Sequence, residues 1–386
     1  MTGPSVFLIA GEASGDALGA ALIAGLRELA PNVQLRGVAG PQMQAAGVRS
    51  LFPMDDLTVM GLAEVLPRYR HLKRRLAETV AAILADPPDV LIGIDSPDFC
   101  LRVARAVKTA NPAIRTVHYV APSVWAWRPG RAAKMAPFTD QVLALLPFEP
   151  PLMEAAGMRC DFVGHPVVAQ PQASEVEAEA FRSAHGISPG TPLILALPGS
   201  RNSEVARLAP IFGAAFTQLA PRLPGMRVVV PVASGLADLV ATLAVDWPID
   251  PILVAASDLP TKRAAFRAAD VALAASGTVS LELAAAGTPM VIAYTFNWLS
   301  NRLLKRLALV DTVTLVNLVS ETRTVPEFLM RACQPGPIAE AIEQVLADSE
   351  GQRTAMNLTM DRLGRGGEAP GLRAARAVLD GLGGFQ

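Results

Sequence analysis

The sequence predicts an α/β protein with two doubly wound parallel sheets, one in each half of the chain, that face a central cleft. Two observations lead to this class. Short apolar runs alternate with helical patterns from end to end, and a stretch rich in proline and alanine separates two such series. Strands joined by helices pair in parallel, and ligands of such sheets bind at the carboxyl ends of the strands. With 386 residues the chain is long enough for two cores.

Each half of the chain contributes five predicted strands. Runs of Val, Ile and Leu that end at turn residues define them, because a strand buried on both faces is apolar throughout. The predicted strands are 5–10, 33–39, 89–94, 114–120 and 141–146 in the first half, and 193–197, 227–233, 250–255, 271–275 and 289–294 in the second. In the first half, helices are predicted near 16–30, 69–85, 97–110 and 149–156.

The stretch 164–192 is rich in Pro, Ala and acidic residues and has weak periodicity. This composition predicts an interdomain linker that holds one short helix. We therefore expect an N-terminal domain over 1–168, a linker over 169–190 and a C-terminal domain over 191–365.

Composition and charge exclude several classes of protein. The net charge of −1 argues against non-specific nucleic-acid binding, and 51% hydrophobic residues argue against disorder. The three cysteines are far apart, which predicts a reducing compartment without a disulfide framework or a zinc site. No apolar run is long enough for a spanning helix, and no basic leader precedes the first strand. The sequence predicts a cytoplasmic chain and leaves contact with a membrane open.

The stretch LALPGSRNSEVARL, 195–208, places Gly199, Ser200 and Arg201 between a strand and a helix. Backbone N–H groups are unpaired at a helix start, the helix dipole is positive there, and an arginine fork matches phosphate oxygens. The turn is therefore a candidate anion site. The alternative is a capped turn with a surface arginine.

A second turn of this kind follows the strand near 271–275. Ser276, Gly277 and Thr278 begin a helix, and Glu282 lies one turn further on the same face, where its carboxylate can accept hydrogen bonds from a ribose diol. The alternative is a glutamate that only interacts with the helix dipole. Two such turns together with Arg201 favour a nucleoside diphosphate. The glycine motifs of P-loop and dinucleotide-binding proteins are absent.

Acidic residues follow two strands of the first half. AGEASGD carries Glu12, Ser14 and Asp16, and carboxylates there favour a sugar or another hydroxyl-rich partner over phosphate. Asp16 alternatively caps a helix. Asp95 lies at the carboxyl end of the strand in GIDSPDF, and we predict that it is a general base.

The loop in PSVWAWRPGR carries Trp125, Trp127 and Arg128. Two indoles beside basic groups suit an acyl or sugar phosphate ligand, although a packed loop with an extended arginine is the alternative.

The stretch 57–76 runs from apolar into basic residues. This order is typical of an interfacial patch for anionic lipid, whereas the alternative is an apolar core face with solvated cations. The apolar residues are Val59, Met60 and Leu62, and the cations are Arg68, Arg70, Lys73, Arg74 and Arg75.

Taken together, AGEASGD, GIDSPDF, PSVWAWRPGR, FVGHP, LPGSR, ASGTVSLE and PMVIAY resemble the lipid-A-disaccharide synthase family, in the family's order from about residue 5 to residue 380. The resemblance implies the GT-B glycosyltransferase fold with two Rossmann-like domains. It implies a hexosyltransferase that moves 2,3-diacylglucosamine from its UDP derivative to 2,3-diacylglucosamine 1-phosphate. The products are the β-1,6-linked lipid A disaccharide 1-phosphate and UDP, formed with inversion and without a metal or other cofactor.

The resemblance also implies roles for single residues. It implies that Asp95 is the base, that Arg201 and Glu282 contact the donor nucleotide, and that Asn317 belongs to the catalytic cleft. One departure is Thr295, which stands where the family commonly has a basic residue.

At the level of the assembly, the resemblance implies a homodimer on the cytoplasmic face of the inner membrane. Its C-terminal helix, 366–386, returns to an N-terminal domain, of the same chain or of the partner. A UDP-sugar 2-epimerase of the same fold and a non-catalytic lipid-binding protein are the alternative functions.

Overall fold

The computed structural model describes residues 3–57, 62–255, 257–295 and 310–383. The chain divides into two units, each with its own sheet. Unit 1 comprises residues 1–169 and 366–386, and unit 2 comprises residues 170–365. Both sheets are parallel, and helices connect most of their strands, so the predicted α/β class with two doubly wound sheets is confirmed.

Unit 1 is built on a sheet of seven parallel strands in the order β3-β2-β1-β4-β5-β6-β7. The strands are β1 (Ser5–Ala10), β2 (Gln34–Val38), β3 (Arg49–Ser50), β4 (Val90–Ile94), β5 (Arg115–Tyr119), β6 (Gln141–Ala144) and β7 (Arg159–Phe162). The helices described between them are α1 (Ala13–Leu29), α2 (Pro41–Ala45), α3 (Leu62–Ala85), α4 (Pro97–Ala110), α5 (Arg131–Met135) and α6 (Pro150–Glu154).

The central strand β1 is buried on both faces because helices cover both. Val6 and Leu8 pack into one apolar cluster with α1, whereas Phe7 and Ile9 pack into a second cluster with α4. Alternate residues of a strand point to opposite faces, so an uninterrupted apolar strand fits a sheet covered on both sides.

Unit 2 repeats this plan with six parallel strands in the order β10-β9-β8-β11-β12-β13. The strands are β8 (Leu193–Leu197), β9 (Arg227–Val232), β10 (Ile252–Ala255), β11 (Val271–Ala274), β12 (Met290–Tyr294) and β13 (Glu327–Leu329). The described helices are α7 (Glu175–Ala184), α8 (Asn202–Leu219), α9 (Ala237–Ala244), α10 (Leu259–Ala268), α11 (Val279–Ala286), α12 (Leu315–Ser320), α13 (Pro335–Ala347) and α14 (Glu350–Arg362).

The predicted linker contains α7, which begins with a complete capping box. The Ser174 hydroxyl accepts from the backbone N–H of Glu177, and the Glu177 carboxylate accepts from the backbone N–H of Ser174. The helix packs against α10, so residues 170–190 are a part of unit 2 in this structure.

The last helix, α15 (Pro370–Gly381), packs on α1 in unit 1. Two glycines make the close approach possible. A Cβ atom on Gly25 would lie 2.7 Å from the carbonyl oxygen of Gly371, and one on Gly371 would lie 2.5 Å from the carbonyl oxygen of Ala21. Arg373 also donates to the carbonyl of Phe162 at 2.8 Å. The C-terminal helix thus completes the N-terminal core of its own chain, and its exchange between subunits stays a prediction.

Among the described residues, no helix combines the length and the apolar character needed to cross a bilayer.

Candidate active site

The carboxyl ends of β8 and β11 mark the point of unit 2 where the strand order changes direction. β8 and β11 are hydrogen-bonded neighbours, whereas β9 and β10 continue on the other side of β8. A crevice for ligands opens at such a switch point. The turns that follow these two strands, 198–201 and 275–278, are those that the sequence singled out.

A cavity of about 400 Å³ opens at this point, and both turns line it. This volume is typical of pockets that bind small molecules. The structure brings every predicted donor-binding residue into the wall of this one cavity: Gly199, Ser200, Arg201, Ser276, Gly277, Thr278 and Glu282.

The first turn places Arg201 at the start of α8. Gly199 has a φ of 123°, a conformation that favours glycine, and a Cβ atom there would lie 2.6 Å from the Cβ atom of Glu204. Arg201 is the N-cap residue of α8, and its side chain is 58% exposed. An exposed guanidinium at a helix start can reach an anion in the cavity.

The second turn leaves open space beside its backbone. Gly277 has a φ of 149°, and a Cβ atom there would meet nothing within 4 Å. Thr278 is the N-cap residue of α11, but its side chain makes no capping hydrogen bond. The start of α11 is therefore accessible to a ligand that accepts hydrogen bonds.

Glu282 forms an ion pair that the sequence analysis missed. Its Oε2 atom accepts from Nζ of Lys262 at 2.8 Å, and Lys262 also lies over the ring of Phe266. Lys262 lines the same cavity, so the wall carries a second cation in addition to Arg201. Lys262 lies on α10, far from both turns in sequence, and no local motif marks it.

Glu204 and Tyr294 are two further residues of this region that the sequence analysis missed. Glu204 accepts hydrogen bonds from Arg201 and from the hydroxyl of Tyr294, at 3.2 and 2.9 Å. At the same strand end, Arg207 donates to the carbonyl oxygen of Thr295 at 2.8 Å. A guanidinium therefore lies beside the position where the family commonly has a basic residue. The position of Glu204, three residues after the N-cap, was the one local signal.

In unit 1, Asp95 lies at the corresponding switch point, after β4 and beside the end of β1. Asp95 and Ser96 have φ values of 51° and 40°, so two consecutive non-glycine residues adopt the left-handed conformation. A Cβ atom on Gly11 would lie 2.6 Å from Oγ of Ser96, so the glycine lets the two turns meet. Burial raises the pKa of the Asp95 carboxyl, against a backbone hydrogen bond from Ser96 that lowers it.

The acidic turn after β1 divides into two parts. Glu12 is the half-buried N-cap residue of α1, and Ser14 is exposed. Asp16 is only 1% exposed, and its two oxygens accept from the backbone N–H groups of Gln42 and Met43 at 2.8 and 3.0 Å. These N–H groups begin α2. The Asp16 carboxylate thus caps α2, and its contact with the acceptor stays a prediction.

The tryptophan loop presents one indole and anchors the other. Trp127 is exposed and lies under the guanidinium of Arg128, 4.2 Å from the ring centroid. Trp125 packs edge-on against Phe148, and its Nε1 atom donates to Glu149 at 3.3 Å.

Glu149 itself was not predicted. It is 4% exposed, it also accepts from the backbone N–H of Leu146, and burial raises its pKa to about 7.

The structure describes only a part of the predicted lipid patch. Val59 and Met60 lie outside the described residues, and for Leu62 and Arg68 the structure describes the backbone of α3 alone.

Further along α3, Arg70, Lys73 and Arg74 are exposed, and Tyr69 is 51% exposed. Arg75 differs from these cations, because it pairs with Asp56 and Glu78 at 2.5 and 2.7 Å. Its charge stabilises the packing of α3 and is not part of the exposed basic face.

Asn317 is buried in unit 2 and hydrogen-bonded within its own segment. It is 1% exposed on α12, its Nδ2 atom donates to the carbonyl of Val325, and its Oδ1 atom accepts from the N–H of Val325, both at 3.0 Å. Nδ2 also donates to Oγ1 of Thr312 at 3.3 Å. Asn317 therefore holds the chain after α12, and its role in catalysis stays a prediction.

A second cavity of unit 2, about 610 Å³, lies at the amino ends of the strands, next to Pro192 and Asp270. It is larger than the cavity at the switch point. Its arginines already hold the backbone, since Arg182 donates to the carbonyl of Ala268 and Arg353 to that of Gly287. Those contacts are structural.

Within the described residues, no group of three or more His, Cys, Asp or Glu side chains could hold a metal ion.

Sequence comparison identifies a family over nearly the whole chain. The family model described as lipid-A-disaccharide synthetase matches residues 6–373. A lipid-A-disaccharide synthase from Ruegeria pomeroyi is 63% identical over 383 residues, which are 98% of this chain and 95% of the relative. One from Rhodospirillum centenum is 47% identical, over 97% of this chain and 94% of the relative.

Solved structures support the fold independently. The UDP-GlcNAc 2-epimerase from Neisseria meningitidis bound to UDP-GlcNAc matches with a TM-score of 0.63 at 12% identity, over 98% of this chain and 99% of that one. MurG from Acinetobacter baumannii matches with a TM-score of 0.56 at 14% identity, over 98% of this chain and 99% of that one. At such identities, the likeness concerns the fold alone.

Proposed function

Because this chain belongs to the lipid-A-disaccharide synthase family, we propose which of its residues carry the transfer of 2,3-diacylglucosamine from UDP-2,3-diacylglucosamine to 2,3-diacylglucosamine 1-phosphate. The products are the β-1,6-linked disaccharide 1-phosphate and UDP. One observation supports the assignment most: the seven predicted donor residues line a single cavity at the switch point of unit 2.

The donor's pyrophosphate binds between the two turns of unit 2 in this proposal. The exposed guanidinium of Arg201 pairs with phosphate oxygens, and the start of α11 at Ser276, Gly277 and Thr278 offers backbone N–H groups. Glu282 accepts from the ribose diol, which requires Lys262 to share or leave that carboxylate. As the sugar departs, negative charge grows on the pyrophosphate, and Arg201 stabilises it.

Asp95 of unit 1 acts as the general base on the acceptor. Its carboxylate takes the proton of the 6-hydroxyl while that oxygen forms a bond to the anomeric carbon of the donor sugar. The bond between the anomeric carbon and the phosphate oxygen breaks, UDP leaves with the bonding electron pair, and attack from the opposite face turns α into β. Burial raises the pKa of Asp95, which makes its carboxylate a better proton acceptor than an exposed aspartate.

Glu12, Ser14 and the exposed Trp127 with Arg128 contact the acceptor in this proposal. The hydroxyl groups of the acceptor suit a carboxylate, its acyl chains suit an indole, and its phosphate suits a guanidinium.

The protein also associates peripherally with the cytoplasmic face of the inner membrane, as a homodimer. Support for the membrane contact comes from the substrates, which carry acyl chains, and from the exposed basic residues of α3.

The experiment is an incubation of the purified protein with both substrates, followed by mass spectrometry. We expect the disaccharide 1-phosphate and UDP only when donor and acceptor are both present. UDP or an epimerised UDP-sugar formed from the donor alone would instead indicate an epimerase. Binding of either lipid without turnover would indicate a carrier.

A further inference from the structure

Glu204 occupies a special position beside the donor site. It lies in the first turn of α8, three residues after Arg201, and its side chain is 12% exposed, whereas that of Arg201 is 58% exposed. A largely buried carboxylate is costly unless hydrogen bonds compensate for the lost water. Within the described part of the chain Glu204 has three such partners: Ser200 and Arg201 line the donor cavity, and Tyr294 lies at the end of β12.

The three partners come from the turn, the helix start and a neighbouring strand. Oε2 accepts from the backbone N–H of Ser200 at 3.2 Å. Oε1 accepts from Nη1 of Arg201 at 3.2 Å and from the hydroxyl of Tyr294 at 2.9 Å. One carboxylate thus connects the backbone of the turn, the guanidinium and the end of β12.

Gly199 provides the space for this arrangement. A Cβ atom on Gly199 would lie 2.6 Å from Cβ of Glu204 and 2.8 Å from its Oε2 atom, so only glycine leaves room for the side chain of Glu204. The left-handed φ of Gly199 and the packing of Glu204 therefore require each other.

Tyr294 fixes Glu204 from the sheet. Burial and the hydrogen bond to Glu204 raise the pKa of Tyr294 to about 12, so its hydroxyl remains a hydrogen-bond donor at any working pH. The tyrosine is the last residue of β12, in the strand next to β11, and it links the turn to a rigid element.

We propose that Glu204, anchored by Tyr294, is a positioning residue of the donor site that holds the turn 198–201 and the side chain of Arg201 in the orientation that receives the pyrophosphate. The proposal rests on the proposed function, because it takes the pyrophosphate to bind at Arg201. Glu204 forms no contact with substrate in this role. A fixed guanidinium loses less side-chain entropy on binding than a free one.

Coulomb repulsion alone predicts the opposite change in UDP affinity, so the direction of the change distinguishes the two roles of Glu204. A carboxylate beside a bound diphosphate repels it, so removal of Glu204 would tighten UDP binding if the residue had no positioning role. If Glu204 positions Arg201, its removal weakens UDP binding instead.

The test measures the affinity of the full-length protein for UDP by calorimetry in five variants, one of which is the single variant Arg201→Ala, and in a control. We expect Glu204→Ala to weaken UDP binding about tenfold and Tyr294→Phe to weaken it about threefold in the same direction. Glu204→Gln keeps the acceptor oxygen and should recover part of the loss. The double variant Arg201→Ala/Glu204→Ala should bind UDP no more weakly than Arg201→Ala alone, because Glu204 acts through Arg201.

Asp361→Asn is the matched control, since it removes an exposed ion pair with Arg365 on α14 of the same unit and should leave UDP affinity unchanged. Thermal unfolding of every variant separates misfolding from a local effect, and Tyr294→Phe carries the test if Glu204→Ala does not fold. Tighter or unchanged UDP binding in the Glu204 and Tyr294 variants, with weaker binding in Arg201→Ala, would overturn the positioning role alone. Unchanged binding in Arg201→Ala would instead overturn the donor site itself.

Discussion

Asp95 combines backbone strain, burial and a raised pKa at one strand end. Left-handed φ values at two consecutive non-glycine residues cost free energy, and such strain collects at functional sites. The residue after Asp95, Ser96, contacts the turn that follows β1, so the base lies between two strand ends rather than on a free loop. A group held this firmly can keep its distance to a reacting hydroxyl.

We therefore expect Asp95→Asn to lower kcat by about a hundredfold or more, since the amide cannot accept the proton. Donor binding should remain nearly intact, because the residue belongs to unit 1. The pH profile of the wild-type kcat/KM should have an acidic limb at a pH above the usual pKa of an aspartate, and the variant should lack it. Steady-state kinetics over pH, with UDP affinity as the control, measure both. Turnover close to that of the wild type would exclude Asp95 as the base.

Arg201 and Glu282 make different contributions to donor binding, and two variants separate them. Arg201→Ala removes a charge-assisted contact to phosphate, worth on the order of 2 kcal/mol. It should weaken UDP binding and leave uridine binding unchanged. Glu282→Gln alters the contact to the ribose, so uridine should also bind less well. Calorimetry with UDP and uridine distinguishes the two patterns, and unchanged UDP affinity in both variants would remove the nucleotide from unit 2.

Glu149 makes stability depend on pH in an unusual direction. Burial raises its pKa from 4.5 to about 7, so the folded state favours the protonated acid. Its contribution to stability is complete below a pH of about 4.5 and is lost as pH rises through about 7, to a total of about 3 kcal/mol. Glu149→Gln cannot ionise. Its free energy of unfolding should therefore fall less than that of the wild type between about pH 5 and about pH 8. Chemical denaturation at both pH values measures the free energy of unfolding. An equal decrease in the wild type and in Glu149→Gln would refute the prediction.

At the scale of elements, every interior strand that the structure describes was predicted, whereas of the four edge strands only β10 was. β1 and β8 match their predicted ranges because both faces are covered and every position except Ser5 is apolar. The strands β3, β7 and β13 were missed, and all three lie at sheet edges. β7 reads Arg-Cys-Asp-Phe, which carries no apolar run, because an edge strand is only half covered.

The same limit applies to the site. Turns after two strands could be predicted to meet, since parallel strands place their carboxyl ends together. Lys262 and Tyr294 reach the site because α10 and β12 pack beside the two turns. No local sequence pattern predicts that these residues contact the turns. For Asn317 the resemblance implied a role in the cleft, and the residues alone did not predict its hydrogen bonds to Val325.

The contact between α1 and α15 allows a prediction for a whole element. Gly25→Val would bring side-chain atoms into the backbone of Gly371, so the C-terminal helix would have to move away from α1. We expect a loss of a few kcal/mol of unfolding free energy, typical of overpacking. Gly351→Ala is the matched control, since that helical glycine has its nearest neighbour, Cγ2 of Thr324, at 3.8 Å and should tolerate a methyl group. Urea denaturation of both variants decides, and equal stability would show that the close approach is dispensable.

At the scale of the whole molecule, the substrates determine where the protein must work. Both carry acyl chains that reside in a bilayer, whereas no described helix can cross one. A protein with a net charge of −1 is not attracted to an anionic surface as a whole, so the proposed membrane contact needs a local cluster of cations. The exposed residues Arg70, Lys73 and Arg74 on α3 form such a cluster.

Charge reversal of this cluster tests the membrane contact. Each cation near an anionic surface contributes about 1 kcal/mol, so Arg70→Glu/Lys73→Glu should lower binding to anionic vesicles by more than tenfold. High salt should have the same effect on the wild type, because it screens these charges. The control Arg102→Glu/Arg105→Glu makes an equal change of net charge on exposed residues of α4, and it should bind vesicles nearly as the wild type does. Activity on detergent-dispersed substrates should fall much less than activity on vesicles, since detergent removes the need for the surface. If both double variants lose vesicle binding equally, net charge rather than the α3 cluster brings the protein to the membrane.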